Sequence, residues 1–504
     1  MTSSRDQRPW LRATLLAACL LSAPANGETC AGGGGPGATL LFPYFEADLA
    51  DPAGPTTLLS VGNAVPRPVL GHVVLWTNWG LPVLDFDLFL PAHAVTSLDV
   101  GALVRDGRLP VSGADAVVPF AGCASPLALP DLDAGALALL RQRLSGLPGD
   151  DGSCWASPPA AGSVVSGFVT VDAVGACSAT SVTPLDDGYF GDGGPAITDD
   201  VLWGELYLVD SGQDAAQGLA AVALAAEEEI GAGGRTFYHR GDGRQPLPVL
   251  SRHRFLNGGG FDGGTEVLVW LDDFGGERPQ PGPCANGGDR SLPLFTEERR
   301  ESGELGLMAY GRTPLVTGRY RVVPDSDSFL TTATEFSAAG SFGSFKVCAS
   351  EPPPGAKGGE ATLRGLWAAP LHTALGRYSV GVDAMRRCDD GVPESPIDGP
   401  LPEWLRRWIA TLECAPVDTS SAEVRSYRYQ GEIVYHHALP CCDQFVEVYG
   451  EGGVYVCAPE GGITGQGDGL CPDFYDVATD EDLVWRDPRI CELPEEIFGP
   501  RCEE

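Results

Sequence analysis

The chain has 504 residues, of which 67 are glycine and 42 proline, with 43% hydrophobic residues and ten tryptophans. That hydrophobic content supplies a core and excludes a wholly disordered chain, while glycine and proline at this density exclude a mainly helical one, because both break helix interiors. A net charge of −35, with 33 basic against 68 acidic residues, is the opposite of the Lys/Arg clustering that polyanions require, so nucleic acid is excluded as a partner and cations become the favoured small charged ligands.

In chain order the first element is a targeting segment. Arg5, Arg8 and Arg12 precede an apolar run from Ala13 to Ala23, too short to span a bilayer. Ala25-Asn26-Gly27 has the small residues that signal peptidase requires, so residues 1–27 read as a signal peptide and the mature chain as starting at Glu28. Leu16-Ala17-Ala18-Cys19 offers a second reading, in which Cys19 is acylated and anchors the protein to a membrane. The apolar run continues past Cys19, which favours the first reading. No later stretch reads as a transmembrane span.

A glycine-rich linker, 28–37, leads into strands. Thr39–Phe42, Leu58–Asn63, Val69–Thr77, Val83–Leu90, Val95–Val100, Val164–Val174, Leu202–Val209 and Leu219–Leu224 are β-rich runs between turn residues. Leu132–Leu147, with leucines at helical spacing, is the one helix expected among them. Short strands punctuated this way predict an Ig-like β-sandwich over 38–250. A second sandwich-like region, 251–385, is expected from Arg252–Leu256, Glu266–Leu271, Glu304–Tyr310, Tyr320–Val323, Ser344–Cys348, Ala361–Ala368 and Arg377–Asp383. An internal echo supports a tandem arrangement: Asn63 stands thirteen residues before Trp76, and Asn257 thirteen before Trp270.

Near Cys388 the composition changes, with 25 acidic and 7 basic residues over 388–504. Trp404, Leu405, Trp408, Ile409 and Leu412 share one face of a short helix, and strands follow at Ser426–Tyr429, Glu432–His436, Phe445–Tyr449 and Val454–Cys457. The expectation is a cysteine-rich α+β module. Apart from Cys19 the cysteines number fourteen, an even count that reads as disulfides in an exported chain. Six (Cys30, Cys123, Cys154, Cys177, Cys284, Cys348) precede the module and eight (Cys388, Cys414, Cys441, Cys442, Cys457, Cys471, Cys491, Cys502) lie in it, so each region can close its own bridges. The absence of any C-x-x-C pair argues against zinc. Neighbouring Cys441 and Cys442 are expected to reach different partners.

No G-x-S-x-G, H-E-x-x-H or phosphate-binding loop occurs, and no catalytic residue is assigned. His436 and His437, adjacent on a strand, should point to opposite faces. Trp76, Trp79, Trp203 and Trp270 serve either as core or as sugar-stacking surface, with core the commoner use. Asp468, Asp473 and Asp476 recur among glycines in the loop 461–476, the one candidate for a bound cofactor ion, calcium. A glycine turn braced by Cys457 and Cys471 explains the same residues without metal. Asp186-Asp187 through Asp199-Asp200 form a weaker acidic loop, and Arg240-Gly241-Asp242 spells an adhesion tripeptide that chance accounts for.

Two regions resemble known families. Leu41-Phe42-Pro43-Tyr44-Phe45-Glu46, His72-Val73-Val74-Leu75-Trp76-Thr77-Asn78-Trp79 and the run Phe255–Glu266 resemble an uncharacterised family of exported proteobacterial β-rich proteins, over 38–385. Cys441-Cys442-Asp443-Gln444, Cys457–Gly465, Gly467–Phe474 and Val484–Arg489 resemble an uncharacterised cysteine-containing domain of bacterial lipoproteins and secreted proteins, over about 402–490. Both resemblances imply export and neither implies an activity. The sequence thus reads as an exported, non-catalytic protein of the periplasm, cell exterior or outer-membrane surface of a bacterium, binding a protein or a glycan or assembling the envelope. The alternatives are a secreted hydrolase of glycans, and a C-terminal module that inhibits proteases or binds a small ligand.

Overall fold

The computed structural model describes residues 35–487 except for internal segments, the longest of which are 227–235, 324–334, 352–361 and 388–400. The architecture is mostly β. A five-stranded antiparallel sheet runs in the order Val222–Leu224, Thr39–Asp48, Val164–Val174, Val69–Thr77, Pro82–Leu90. A four-stranded sheet runs Val95–Asp99, Pro55–Asn63, Leu202–Asp210, Ala215–Ala220. The strand Val69–Thr77 is buried at every position, as an apolar strand covered on both faces must be. Leu202–Asp210 instead alternates, with Leu202, Leu206 and Leu208 inward and Trp203 and Tyr207 outward. The strand at Thr39 continues to Asp48, past the expected end at Phe42, because the register shifts between Phe42 and Phe45 and the resulting bulge accommodates Pro43.

Two further sheets come from the second β-rich region. One runs Leu305–Thr313, Leu292–Arg300, Phe342–Cys348, Leu250–Leu256, Met385–Arg387, and the other Glu335–Ser337, Thr317–Val323, Gly264–Leu271, Leu366–Ala374, Tyr378–Gly381. Glu335–Ser337 pairs in parallel with Thr317–Val323, and the other described strand pairs of these two sheets are antiparallel. One continuous cluster of buried side chains runs from Leu40 to Leu371 and crosses residue 250. At its centre Trp76 stacks on Phe168, while Trp270 meets Phe168, Phe237 and Phe274. The two tryptophans of the internal echo therefore share one aromatic cluster, and Asn257 lies outside the described residues.

The helix expected over 132–147 forms at Ala134–Leu144, capped by the Asp133 carboxylate on the Ala136 N–H. It is not the one helix of its region. Val100–Asp106 is helical as well, because Asp99 caps the Ala102 N–H and Gly107, in the left-handed conformation, ends the helix. Seven residues show too few turns for periodicity to reveal, and the cap pair was the available signal. The expected strand Leu219–Leu224 is two, Ala215–Ala220 and Val222–Leu224, and Ala361–Ala368 is likewise split between Thr362–Leu363 and Leu366–Ala374.

The C-terminal module is a five-stranded antiparallel sheet, ordered Tyr455–Glu460, Val446–Gly450, Glu432–Ala438, Glu423–Tyr429, Thr479–Arg486, with the helix Glu403–Cys414 on one face. Leu405, Trp408, Ile409 and Leu412 are buried against Val424, Tyr435, Tyr449, Val484 and Trp485. On the other face Phe474 and the Cys457–Cys471 bridge pack on Tyr429, Val434 and Val448. The edge strand Thr479–Arg486, charged over its first half, lacked the apolar alternation by which a strand is read.

Candidate functional site

The tryptophans sort by burial. Trp76, Trp79 and Trp270 are core, whereas Trp203 is one-third exposed on the outer face of the four-stranded sheet. His239 and His372 find distant partners through the fold, and His253 finds one two residues away on its own strand. His239 Nε2 lies 2.8 Å from Asp272 Oδ2, His253 Nε2 2.7 Å from Ser251 Oγ, and His372 Nδ1 3.0 Å from Thr265 Oγ1. His72 is buried between Asp87 and the Val182 carbonyl, and although burial pulls its pKa down, those acceptors outweigh it and raise the value.

The most elaborate polar assembly is wholly interior. The Asp172 carboxylate accepts hydrogen bonds from Thr39, from Tyr189 at 3.1 Å and from Tyr238 at 3.1 Å. Arg244 donates from Nε to Thr39 Oγ1 at 2.9 Å and from its other nitrogens to the Asp242 and Ile197 carbonyls. Burial raises the Asp172 pKa, with Arg244 and Thr39 opposing it. This assembly ties strands together and offers no opening to a ligand. It also absorbs the Arg240-Gly241-Asp242 tripeptide: Asp242 is buried and accepts from the Thr236 hydroxyl and the Tyr238 and Arg244 N–H groups.

The acidic loops are engaged with protein partners. Asp186 accepts from Thr183, Asp199 pairs with Arg67, and Asp200 accepts from the Ala226 N–H. In the C-terminal loop, Tyr455 donates to Asp468 at 2.6 Å, Tyr429 donates to Asp473 at 2.9 Å, and Asp476 stands in the short helix Phe474–Val477. The glycines there let the loop press onto the sheet: a Cβ at Gly467 would fall 1.9 Å from the Ala458 carbonyl oxygen. Among the described residues no group of three or more His, Cys, Asp or Glu side chains is arranged to hold a metal ion.

Three disulfides join described residues: Cys123–Cys177, Cys154–Cys284 and Cys457–Cys471. Cys348 is disulfide-bonded as well. Of the other cysteines, Cys414 lies in the helix Glu403–Cys414, while Cys19, Cys30, Cys388, Cys441, Cys442, Cys491 and Cys502 fall outside the described residues.

One cleft combines volume with convergent polar groups. It measures about 180 Å³ and lies where the end of the Leu202–Asp210/Ala215–Ala220 hairpin meets Leu371 and Thr373 of the second region. Glu46 and Arg319 stand in its wall, beside Asp210, Gln213 and Gln217. Arg319 donates to Glu46 at 3.0 and 3.1 Å and, from Nε at 2.9 Å and from its terminal nitrogen, to Glu266. Tyr44 adds a 2.9 Å bond to Glu46. Burial pulls the Arg319 pKa down, but the two carboxylates outweigh it and push the value well above the usual range. The cleft thus presents fixed charges and amides over a partly apolar floor. Sequence reasoning missed it, since its members come from strands about 270 residues apart and no local pattern joins Glu46 to Arg319.

A family model described as a domain of unknown function (DUF6970) matches residues 410–487. The C-terminal module resembles that domain. The match begins inside the Glu403–Cys414 helix and takes in all five strands of the module's sheet. No curated protein and no solved structure matches the chain. Among the described residues no helix is long and apolar enough to cross a membrane.

Proposed function

We propose that this is an exported, non-catalytic binding protein of a bacterial envelope or its exterior, and that its ligand enters the cleft over Arg319. The disulfides support export, since such bridges persist in oxidising compartments. The likeness of 38–385 to exported proteobacterial β-rich proteins, and an Ig-like arrangement of its sheets, belong to the same proposal. One observation carries the binding reading: Arg319, in the cleft wall, is bound by two glutamates. A glycosidase works with two carboxyls free to flank a scissile bond, whereas both glutamates here are occupied on one guanidinium. Such a site orients hydroxyls and amides, with donors and acceptors held in fixed directions.

The test is thermal unfolding of the mature chain with a panel of neutral mono- and disaccharides and short diamines. A binder at a hundredfold excess over its Kd should stabilise the protein by about 2.7 kcal/mol, and Ala216→Trp, which fills the cleft, should abolish that shift. No stabilisation by any member of the panel would sink the reading. Release of new reducing ends from glycans would replace it with the hydrolase.

A further inference from the structure

The outer face of the four-stranded sheet is unusual for a face turned to water, which is ordinarily polar. Trp203 and Tyr207 stand on it 36% and 40% exposed, with Leu58 at 37% and Val95 at 51%. Register places Gly62 opposite Trp203, and both Leu58 and Gly218 opposite Tyr207. A Cβ at Gly62 would fall 2.2 Å from Cε2 and 2.3 Å from Nε1 of the indole, and one at Gly218 would fall 3.0 Å from Cε1 of the Tyr207 ring. Each ring therefore leans across the backbone of the neighbouring strand. Neither glycine has a positive φ, so the backbone conformation does not call for glycine at either position. The space taken by the ring does, and a strand glycine costs about 0.5–1 kcal/mol relative to alanine.

We infer that this face is a stacking platform for a neutral polysaccharide chain that leads into the Arg319 cleft. The inference rests on the binding reading of that cleft. Trp203 and Tyr207 are four residues apart on one strand, roughly 13 Å at the usual rise, longer than one sugar ring and suited to an extended chain. The faces of both rings are electron-rich and accept the C–H face of a pyranose. Between them Glu205, which accepts the Tyr207 hydroxyl, supplies a carboxylate for sugar hydroxyls, with Ser60 opposite it. Glu205 and Asp99 on this face are acidic residues and the chain carries −35, so an anionic glycan or a nucleic acid is repelled. Val209 and Ala216, which by alternation share the face of Tyr207, also line the cleft, making the platform and the cleft continuous.

Electrophoresis of the full mature chain through native gels containing hydroxyethylcellulose, mixed-linkage β-glucan or galactomannan tests this, with dextran sulfate as the anionic comparison. Retardation by at least one neutral polymer is expected. Trp203→Ala and Tyr207→Ala should each weaken it about tenfold, as the loss of one stacking contact implies, and Trp203→Phe should restore part of it. A Thr373→Trp variant, which fills the cleft from the strand Leu366–Ala374 and leaves the four-stranded sheet unchanged, separates the two claims. Polymer retardation that persists while the small-ligand shift is lost supports the platform. Retardation unchanged in Trp203→Ala and Tyr207→Ala, no retardation by any neutral polymer, or stronger retardation by dextran sulfate would each overturn it.

Discussion

Arg244 is fully buried, and its side chain donates to Thr39 and to the carbonyls of Asp242 and Ile197. Its charge is balanced by Asp172, itself held by Thr39, Tyr189 and Tyr238. Removing one member of such a group leaves the other charge buried without compensation, and that penalty exceeds what the pair contributes when intact. Arg244→Leu should therefore cost about 3–5 kcal/mol, read as a lower urea midpoint. Replacing Arg244 and Asp172 together by apolar residues should cost less than the single change, because no stranded charge remains. The sequence marked neither residue: Asp172 sits in an apolar strand whose alternation simply continues through it, and Arg244 follows a tripeptide that drew attention to its neighbours.

Elements decide the fate of His436 and His437. Adjacent on the strand Glu432–Ala438, they point to opposite faces, as the two-residue period requires. His436 stacks on Phe474 and reaches the Tyr475 hydroxyl at 3.0 Å, while His437 packs on Trp408 of the Glu403–Cys414 helix. Burial lowers His436 to about 4, with Arg425 adding to the shift and Glu481 and Glu423 opposing it. Burial and then His436 lower His437 to about 3. Folded values below the unfolded value of about 6.5 mean that the unfolded chain takes up protons first. The stability these histidines permit is thus fully present above pH 6.5 and lost as pH falls toward 4 and then 3. Each contributes a slope of about 1.4 kcal/mol per pH unit inside its window. Urea midpoints followed by tryptophan fluorescence should fall from pH 7 to pH 5, and His437→Leu should make that fall shallower. An unchanged slope in His437→Leu would mean that this histidine is not buried in its neutral form.

At the scale of the molecule, contacts between distant segments bind the two β-rich regions. Thr317 donates to the Pro43 carbonyl at 2.6 Å, the Val316 N–H to the Asn78 carbonyl at 2.8 Å, and Arg319 to Glu46. The Cys154–Cys284 bridge closes a loop of 130 residues across the same junction. A crosslink of that span restricts the unfolded chain strongly, and removing a native bridge costs roughly 2–5 kcal/mol. The variant in which both Cys154 and Cys284 are alanine should lose that amount in calorimetry. With one buried cluster running from Leu40 to Leu371, the two regions should still melt in a single transition. Two resolved transitions from the 38–385 segment would contradict that cooperativity.

Local information in the sequence determined the elements. Val69–Thr77 and Val164–Val174 form at the expected residues, and the Trp404–Leu412 face is the one the C-terminal helix buries, because alternation and helical period are written within a few residues. The glycine and proline excess likewise marked short strands and close-pressed loops. Tertiary structure decided which residues meet. The Asp172–Arg244 network, the pairing of Cys154 with Cys284, and the Glu46–Arg319–Glu266 cleft each join side chains from strands far apart in sequence. Trp203 was one of four tryptophans of equal standing in the sequence, and the fold alone set it outward over Gly62 while burying the other three. Strand periodicity separates two faces but cannot say which one another sheet will cover, and that choice depends on the packing of the whole chain.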